Sequence, residues 1–430
     1  MRNIRSALAA TAAVAVVAMA GGCAAAGSQQ VTQQRARTTT TLRGQAVREP
    51  ASSPDPFGIS DTAFGTGLLG SWCRARPGAN LVFSPSTLAS ALGLAYLGAR
   101  GGTAIAMARA LRLPETGKGL LAGLRARSHA LNAAGGPGAT IAASNRVWAD
   151  PGLTPTRSYL DAAATGYGAG LTQVPLRSDP ATAADDINSA ISAATHGHIP
   201  SLVTPDMLRD DGWVLTAALY LDAKWATPFE PSQTRTGTFL TSAHGGRRVS
   251  ARFMNGGSFP VATGDGWTGV TLPYRGGKLA MTALLPPASA GACAMPGAGL
   301  LKGLTARGPA LTTPNPGWAA VSLPKVSLSA AGSMKAELTA LGMGQAFGPS
   351  ADFSGLSPKA SSLTSVQQAA TLQVGEKGTV GSAASSVGIA AGAEPASPRT
   401  VTFNRPYLML VSDPATGEPL FLARVADPGA

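Results

Sequence analysis

Trp213 to Trp225 reads WVLTAALYLDAKW. A run this continuously apolar does not suit an edge strand, whose side chains would alternate between core and solvent. It reads as a central strand buried on both faces. Any fold for this chain must therefore cover a sheet on both sides. The patterning elsewhere supplies the cover. Residues 60–73 carry Phe64, Leu68 and Leu69 at near-helical spacing, with Ser60 or Asp61 as N-cap. Ser84-Pro85-Ser86 opens a second helix, with Leu88, Ala91, Leu92, Ala95 and Tyr96 on one face and a stop at Gly101-Gly102. Helical spacing also fits 103–112, 156–167 and 181–194. Residues 268–274, 279–285, 319–328, 369–374, 400–411 and 419–425 alternate or are rich in strand formers. Helices come first and strands concentrate later, so the class is α+β in one large domain. No period of 20–50 residues repeats, which argues against solenoids and propellers.

With 44% hydrophobic and 13% charged residues, the chain is not a charge-rich disordered polymer. Its net charge of +12 draws on Arg35, Arg37, Arg43 and Arg48, which read as a solvated tail. No Lys/Arg run is interleaved with aromatics, so no nucleic acid is expected as a partner. Arg2 and Arg5 precede an apolar run from Leu8 to Ala20 that is short for a membrane span and right for a signal-peptide core. Ala20-Gly21-Gly22-Cys23 resembles a bacterial lipobox, in which the cysteine is lipidated. Ala20 departs from the branched apolar residue usual there, so plain secretion stays open. Residues 1–22 are thus expected to be a signal peptide and 23–56 a disordered tether. The product is expected to be exported, extracellular or a cell-envelope lipoprotein, touching a membrane only through a lipid anchor on Cys23. Cys73 and Cys293 then remain, either as one disulfide or as two buried thiols.

Asn80 to Thr87 (NLVFSPST), Ala91-Leu92 and Leu97 to Thr103 (LGARGGT) resemble the characteristic core segment of the serpin family. The likeness continues through 57–428. It runs through Asn145 of NRVWAD, then Asn188, Thr195, Gly197 and Ile199, then Ala218 to Trp225 with Pro228-Phe229-Glu230 and Thr234 to Phe239. Leu272-Pro-Tyr, Leu285-Pro286, Leu323-Pro-Lys325, Leu341-Gly-Met343, Ala346-Phe347 and Ala351 to Gly355 follow in family order. Glu376 to Thr379, Phe403 to Tyr407 and Pro419 to Val425 complete it. Each fragment is weak; a dozen in one order are specific. The resemblance implies a serpin fold of three β-sheets with about nine helices and an exposed reactive-centre loop, about 376–398. It also implies a monomeric serine protease inhibitor that acts as a suicide substrate: the protease cleaves the loop, which inserts as a new central strand.

Thirteen of residues 379–398 are Ala, Gly or Ser, which by itself would also suit a flexible linker. An inserting strand must in addition avoid proline, which lacks an N–H for the ladder, and charge that would be buried unpaired. Thr379 to Ala393 contains neither. Alternation puts Thr379, Gly381, Ala383, Ser385, Val387 and Ile389 inward and Val380, Ser382, Ala384, Ser386, Gly388 and Ala390 outward. The hinge implied by the resemblance is Glu376, Lys377, Gly378, Thr379, Val380, Gly381, Ser382, Ala383 and Ala384. Val380-Gly381-Ser382 stand where inhibitors of the family commonly carry an acid and alanines. Gly381 adds backbone entropy to be lost on insertion, and so more escape of protease.

The resemblance places the shutter under the sheet at Ser84, Thr87, Ala217 and Gln368, and the breach at Trp225. Ala217 and Gln368 replace a common Asn and His pair. Losing both partners leaves neither deprived of the other. Counting from Glu376 puts the scissile bond at Gly392–Ala393, bracketed from Ala390 to Ala396 because the loop is slightly long. Small residues there suit the shallow pocket of an elastase- or subtilisin-like serine protease, with a cysteine protease as a further target class. The chain has four histidines and no Gly-x-Ser-x-Gly elbow, and His196-x-His198 lacks further ligands at familiar spacing. No Walker loop is present. Neither an enzyme, a cofactor nor a metal is therefore expected. The alternative reading is a non-inhibitory serpin-fold binding or envelope protein that proteases cleave as a plain substrate.

Overall fold

The computed structural model describes residues 39–209, 212–241, 246–297, 299–300, 317–379 and 399–429. The signal-peptide and Cys23 expectations lie outside these residues.

The first helix, α1 (Asp55–Ala75), starts earlier than the Ser60/Asp61 cap would have it. Pro54 and Pro56 fix its first turn, and its N-cap makes no side-chain bond. Ser60 instead donates to the Arg112 carbonyl, and Asp61 is buried against Arg127. Ser60 and Asp61 are mid-helix polar residues whose partners lie far along the chain, not caps. Helix α2 (Pro85–Tyr96) is capped by Ser84, whose Oγ accepts from Thr87 N at 3.2 Å. It is buried from Pro85 to Ala95, beyond the single apolar face, with Ser86, Thr87 and Ser90 enclosed as well. Helices α3 (Gly101–Ala110), α4 (Leu120–Ala133), α5 (Arg157–Tyr167), α6 (Pro180–Ala194) and α7 (Pro205–Leu208) follow. Lys335–Leu338 (α8) and Gly344–Phe347 (α9) add single turns.

The strands are β1 (Thr40–Leu42), β2 (Leu81–Phe83), β3 (Ala139–Ala149), β4 (Leu171–Gln173), β5 (Trp213–Lys224), β6 (Arg235–Leu240), β7 (Arg248–Gly264) and β8 (Trp267–Pro273). They continue with β9 (Ala280–Leu285), β10 (Gly317–Pro324), β11 (Val326–Ser333), β12 (Ser365–Gly375), β13 (Gly378–Thr379), β14 (Thr400–Thr402), β15 (Tyr407–Asp413) and β16 (Glu418–Val425). One sheet has the order β1-β4-β3-β5-β13-β12-β11. The other runs β14-β10-β7-β8-β9-β15-β16-β2, with β6 on β7.

The second sheet is a single hydrogen-bonded ladder with a corner. At Gly256 and Gly257 the φ angles are +122° and +69°, and the β7–β10 register slips between Ala319 and Val321. Only glycine adopts such angles without strain, so β7 turns there and one ladder presents two faces. Counting the two faces of this ladder separately gives three sheet layers, the number that the resemblance implies.

β5 lies where its sequence demands. Leu215 and Ala217 join the core with α2, and Leu219, Leu221 and Ala223 join the core shared with the second sheet. Val214 and Ala218 pack under Ile187 and Ile191 of α6. Cys73, near the end of α1, is bonded to Cys293, with Cα atoms 5.6 Å apart.

Three sequence expectations change. The tether ends early: β1 pairs with β4, and Gln45 N and Val47 N donate to Asp161 Oδ1 and Thr165 Oγ1. Polar composition did not keep this stretch out of the fold, because an edge strand recruits backbone rather than apolar side chains. The run 319–328 is two strands in different sheets, broken at Lys325. The run 400–411 is also two strands, separated by 403–406, which contains Pro406.

Candidate functional site

The site is a fork in the seven-stranded sheet. In its lower half β12 runs parallel to β5, with Ser365 facing Val214 and, five residues on, Ala370 facing Leu219. There the direct ladder stops. Gly375-Glu376-Lys377-Gly378 turns the chain back, and β13 lies between the two strands. Thr379 faces Val374 of β12 on one side and Ala223 of β5 on the other. Val374 and Ala223 keep the offset of 151 residues that relates Ser365 to Val214. The strands part without slipping.

The turn is held by named contacts. Glu376 Oε2 pairs with Lys325 Nζ at 2.8 Å, and its Oε1 accepts from Thr234 Oγ1 at 3.0 Å. Burial opposes ionisation of Glu376, but the bonds from Lys325, a backbone amide and Thr234 hold its carboxyl below the ordinary value. Phe229 N donates to Glu376 O at 2.8 Å and Trp225 N to Lys377 O at 3.0 Å. The Trp225 indole donates to Gly375 O at 2.9 Å and stacks on Tyr274, centroids 4.5 Å apart. Tyr274 reaches the hinge with its hydroxyl, which shares a hydrogen bond with buried Thr379 Oγ1. Burial pushes the Tyr274 phenol up, so it remains neutral. At Gly378, φ is +154° and an added Cβ would overlap the Ala223 carbonyl oxygen. Glycine lets β13 approach β5 this closely.

Ala217 and Gln368 face each other across the lower half of the fork. Ser84 and Thr87 lie beneath, buried in the first turn of α2. In the amide orientation that satisfies both groups, Asn145 of β3 donates to Ser144 O and Thr87 O at 3.1 and 3.2 Å, tying the sheet to α2. Gln368 Oε1 is buried and has no hydrogen-bond partner in the structure, so removing the Asn and His pair did not leave this row satisfied. On the other face His198 stacks on Tyr220 at 3.9 Å between centroids. Among the described residues no group of three or more His, Cys, Asp or Glu is placed to hold a metal.

Glu376 to Thr379, Trp225 and the four shutter residues are thus brought to one strand pair and the helix beneath it. Hinge residues Val380 to Ala384 and the bracket Ala390 to Ala396, including Gly392 and Ala393, lie outside the described residues. Beyond them Arg399 O accepts from Ala320 N at 2.9 Å and β14 joins β10, so the loop starts in one sheet and ends in the other. The roles of Tyr274, Thr234, Lys325 and Asn145 were not legible beforehand. The family-like motifs include all four residues, but each acts through a contact across at least 51 residues of sequence, which no motif names.

A family model described as Serpin (serine protease inhibitor) matches residues 60–428. The chain belongs to the serpin family. It is 30% identical to an uncharacterized serpin-like protein of Thermococcus kodakarensis over 81% of both chains. It is 28% identical to Iripin-2 of Ixodes ricinus over 85% of this chain and 92% of that one. Among solved structures, the thermophilic serpin tengpin in its native state superposes with a TM-score of 0.74 at 23% identity, covering 90% of this chain and 97% of that one. Serpins are generally inhibitors of serine proteases rather than catalysts. In this serpin the fork is the feature that bears on such a role.

Proposed function

We propose that this serpin inhibits a protease as a suicide substrate, by inserting the cleaved loop between β5 and β12. The supporting observation is the fork: Thr379 already spans the two strands, and their offset is the same above and below the point where they meet. An incoming strand therefore meets one uninterrupted register. Continued from Thr379, it sets Gly381 between Leu221 and Leu372, Ala383 between Leu219 and Ala370, and Val387 between Leu215 and Val366. Small residues pass first and the large aliphatics arrive at the apolar lower end. On the other face Ala384 falls between Ala218 and Ala369 in the layer under α6, where a larger side chain would collide.

The driving force is the difference between two sheets. Ordering the backbone costs about 1–2 kcal/mol per residue. Each new ladder bond returns about 0.5–1.5 kcal/mol net, on both flanks of the strand. Relief of a sheet that is better with one more strand supplies the rest, so the native form is held kinetically.

The target class follows from Ala390 to Ala396, with the cut at Gly392–Ala393. Small residues there fit a shallow specificity pocket, as in elastase- or subtilisin-like serine proteases, with cysteine proteases as a secondary class. The N-terminal segment carries the further proposal of export, with Cys23 as a lipid anchor; the mass of the processed N-terminus decides it. The main test is incubation with a protease panel. An elastase-like enzyme is expected to form a complex that survives SDS gels, and trypsin is not. Rapid cleavage by every enzyme with no covalent complex would overturn the inhibitor reading and leave a plain substrate.

A further inference from the structure

Arg127, Arg405 and Arg424 are all drawn out of water, but the fold treats them differently. Arg127 meets Asp61 and Glu418, so its charge is offset where it lies. Arg424 of β16 is 2% exposed, and its Nη1 and Nη2 donate to the Ala79 and Ala292 carbonyls at 3.0 and 3.1 Å. Arg405, just before β15, is half-buried. Its Nη2 donates to Pro286 O at 2.6 Å, and its Nε is buried without a partner. Burial works against the charge of both Arg405 and Arg424, and among the described residues no carboxylate compensates either. A charge taken from water with only neutral partners is costly. Both of these arginines line one cavity of about 340 Å³.

The walls of the cavity are fixed. They come from the start of β8, the start of β15, the turn 286–294 after β9 and the residues just beyond α1. The turn is held at three points: Cys293 is bonded to Cys73 of α1, Arg424 holds Ala292 O, and Arg405 holds Pro286 O. Beside the guanidiniums the lining is largely apolar, with Trp267, Pro286, Pro287, Pro406 and Leu408. The volume lies near the lower end of ligand pockets, about 300–1,000 Å³. We propose that this cavity binds a small monocarboxylate with an aromatic or short aliphatic body, its carboxylate on the Arg405 guanidinium and its apolar part against Trp267 and Leu408. A guanidinium presents a planar fork of donors that matches a carboxylate. Arg424, pinned by two carbonyls, adds positive potential to the cavity rather than the fork. An inorganic anion would leave the apolar wall unused, and a neutral apolar ligand would leave Arg405 uncompensated. The cavity lies against the second sheet, away from the fork, so the proposal does not depend on loop insertion.

The test uses the full chain, uncleaved, with phenylacetate as the probe, followed by titration calorimetry and by melting at constant ionic strength. Phenylacetate is expected to bind saturably and to raise the melting temperature as its concentration rises. Phenylacetamide keeps the body and loses the charge, and should bind about 10–100-fold more weakly. Acetate keeps the charge and loses the body, and should weaken by a similar factor. Arg424→Gln removes two contacts that hold the walls, so Arg405 carries the mutational arm. Arg405→Gln should still melt cooperatively but no longer prefer phenylacetate to phenylacetamide, and Arg405→Lys should keep part of that preference. Absence of saturable binding, equal binding of the acid and its amide, or an Arg405→Gln variant that binds as the parent does would each overturn the proposal. Inorganic phosphate binding more tightly than phenylacetate would overturn it too, because the apolar wall would then have no part in recognition.

Discussion

The two sheets are stitched by different side chains. Down the middle of the nine-stranded sheet, Leu408 faces Leu284, Leu410 faces Leu422 and Val411 faces Phe421, and β15 and β16 are buried throughout. Down the β5–β12 seam Leu215 faces Val366 at the lower end, but the pairs above it are Thr216 with Gln367, Ala217 with Gln368, Ala218 with Ala369 and Leu219 with Ala370. Cross-strand side-chain pairs are the unit of sheet stability. A seam whose upper pairs are mostly alanine, with the buried Oε1 atoms of Gln367 and Gln368 unpartnered, adds less to its backbone bonds than a seam of Leu, Val and Phe. The lesson is that a sheet can be made separable along one line by small side chains there, without weakening the molecule elsewhere. The buried cluster of Arg127 with Asp61 and Glu418 reinforces the fixed side, tying α1 and α4 to β16.

That contrast predicts the largest effect for Leu410→Ala, in the fixed sheet. Deleting a side chain that is 1% exposed should cost about 2–5 kcal/mol. The loss should be the same before and after loop cleavage, because neither state rearranges there. Denaturant unfolding of both forms checks it, and a loss confined to one form would mean that the second sheet also moves. Gly378→Ala, at the fork, should act differently. The new Cβ has no room beside the Ala223 carbonyl and the backbone angle is unfavourable, so the hinge is expelled at about 1–3 kcal/mol. Trp225, whose indole donates to Gly375 O, should report the expulsion as a change in emission, and more protease should escape per inhibitor consumed.

The sequence carried the fixed parts of the molecule better than the movable one. β5 was legible because burial on both faces leaves a continuous apolar run, and α2 because Ser84-Pro85 marks its start. The longest strand, β7, carries a weak sequence signal: it pairs with β6, β8 and β10 across a corner and alternates poorly, and Gly256 and Gly257 interrupt it. Lys325 hid a change of sheet because a single polar residue does not break a β-rich run. At the site, small uncharged residues from Thr379 onward were readable as suited to a strand. What holds Thr379 in place was not, since Tyr274, Trp225 and Glu376 act through contacts that only the folded chain creates.

The smallest expected effect concerns how the fork answers to pH, through a Glu376–Lys325 pair that is more exposed than the buried Arg127 cluster of the fixed sheet. Burial works against the Glu376 charge, and the bonds from Lys325, a backbone amide and Thr234 outweigh it, so the folded carboxyl titrates below its ordinary value of 4.5. A carboxylate with a depressed folded value contributes stability that is present above its unfolded value and lost as pH falls through the folded one. The hinge should therefore stay seated at neutral pH and loosen only below about pH 4.5, in the range of unperturbed glutamates. Lys325 is partly exposed, so the contribution is screened and salt should reduce it. Glu376→Gln should behave at neutral pH as the parent does in acid, with Trp225 emission already shifted and little further change on acidification from the hinge. A parent and variant that titrate alike would assign the acid response elsewhere, with the buried Asp61 carboxyl, pushed up by desolvation, as the group to substitute next.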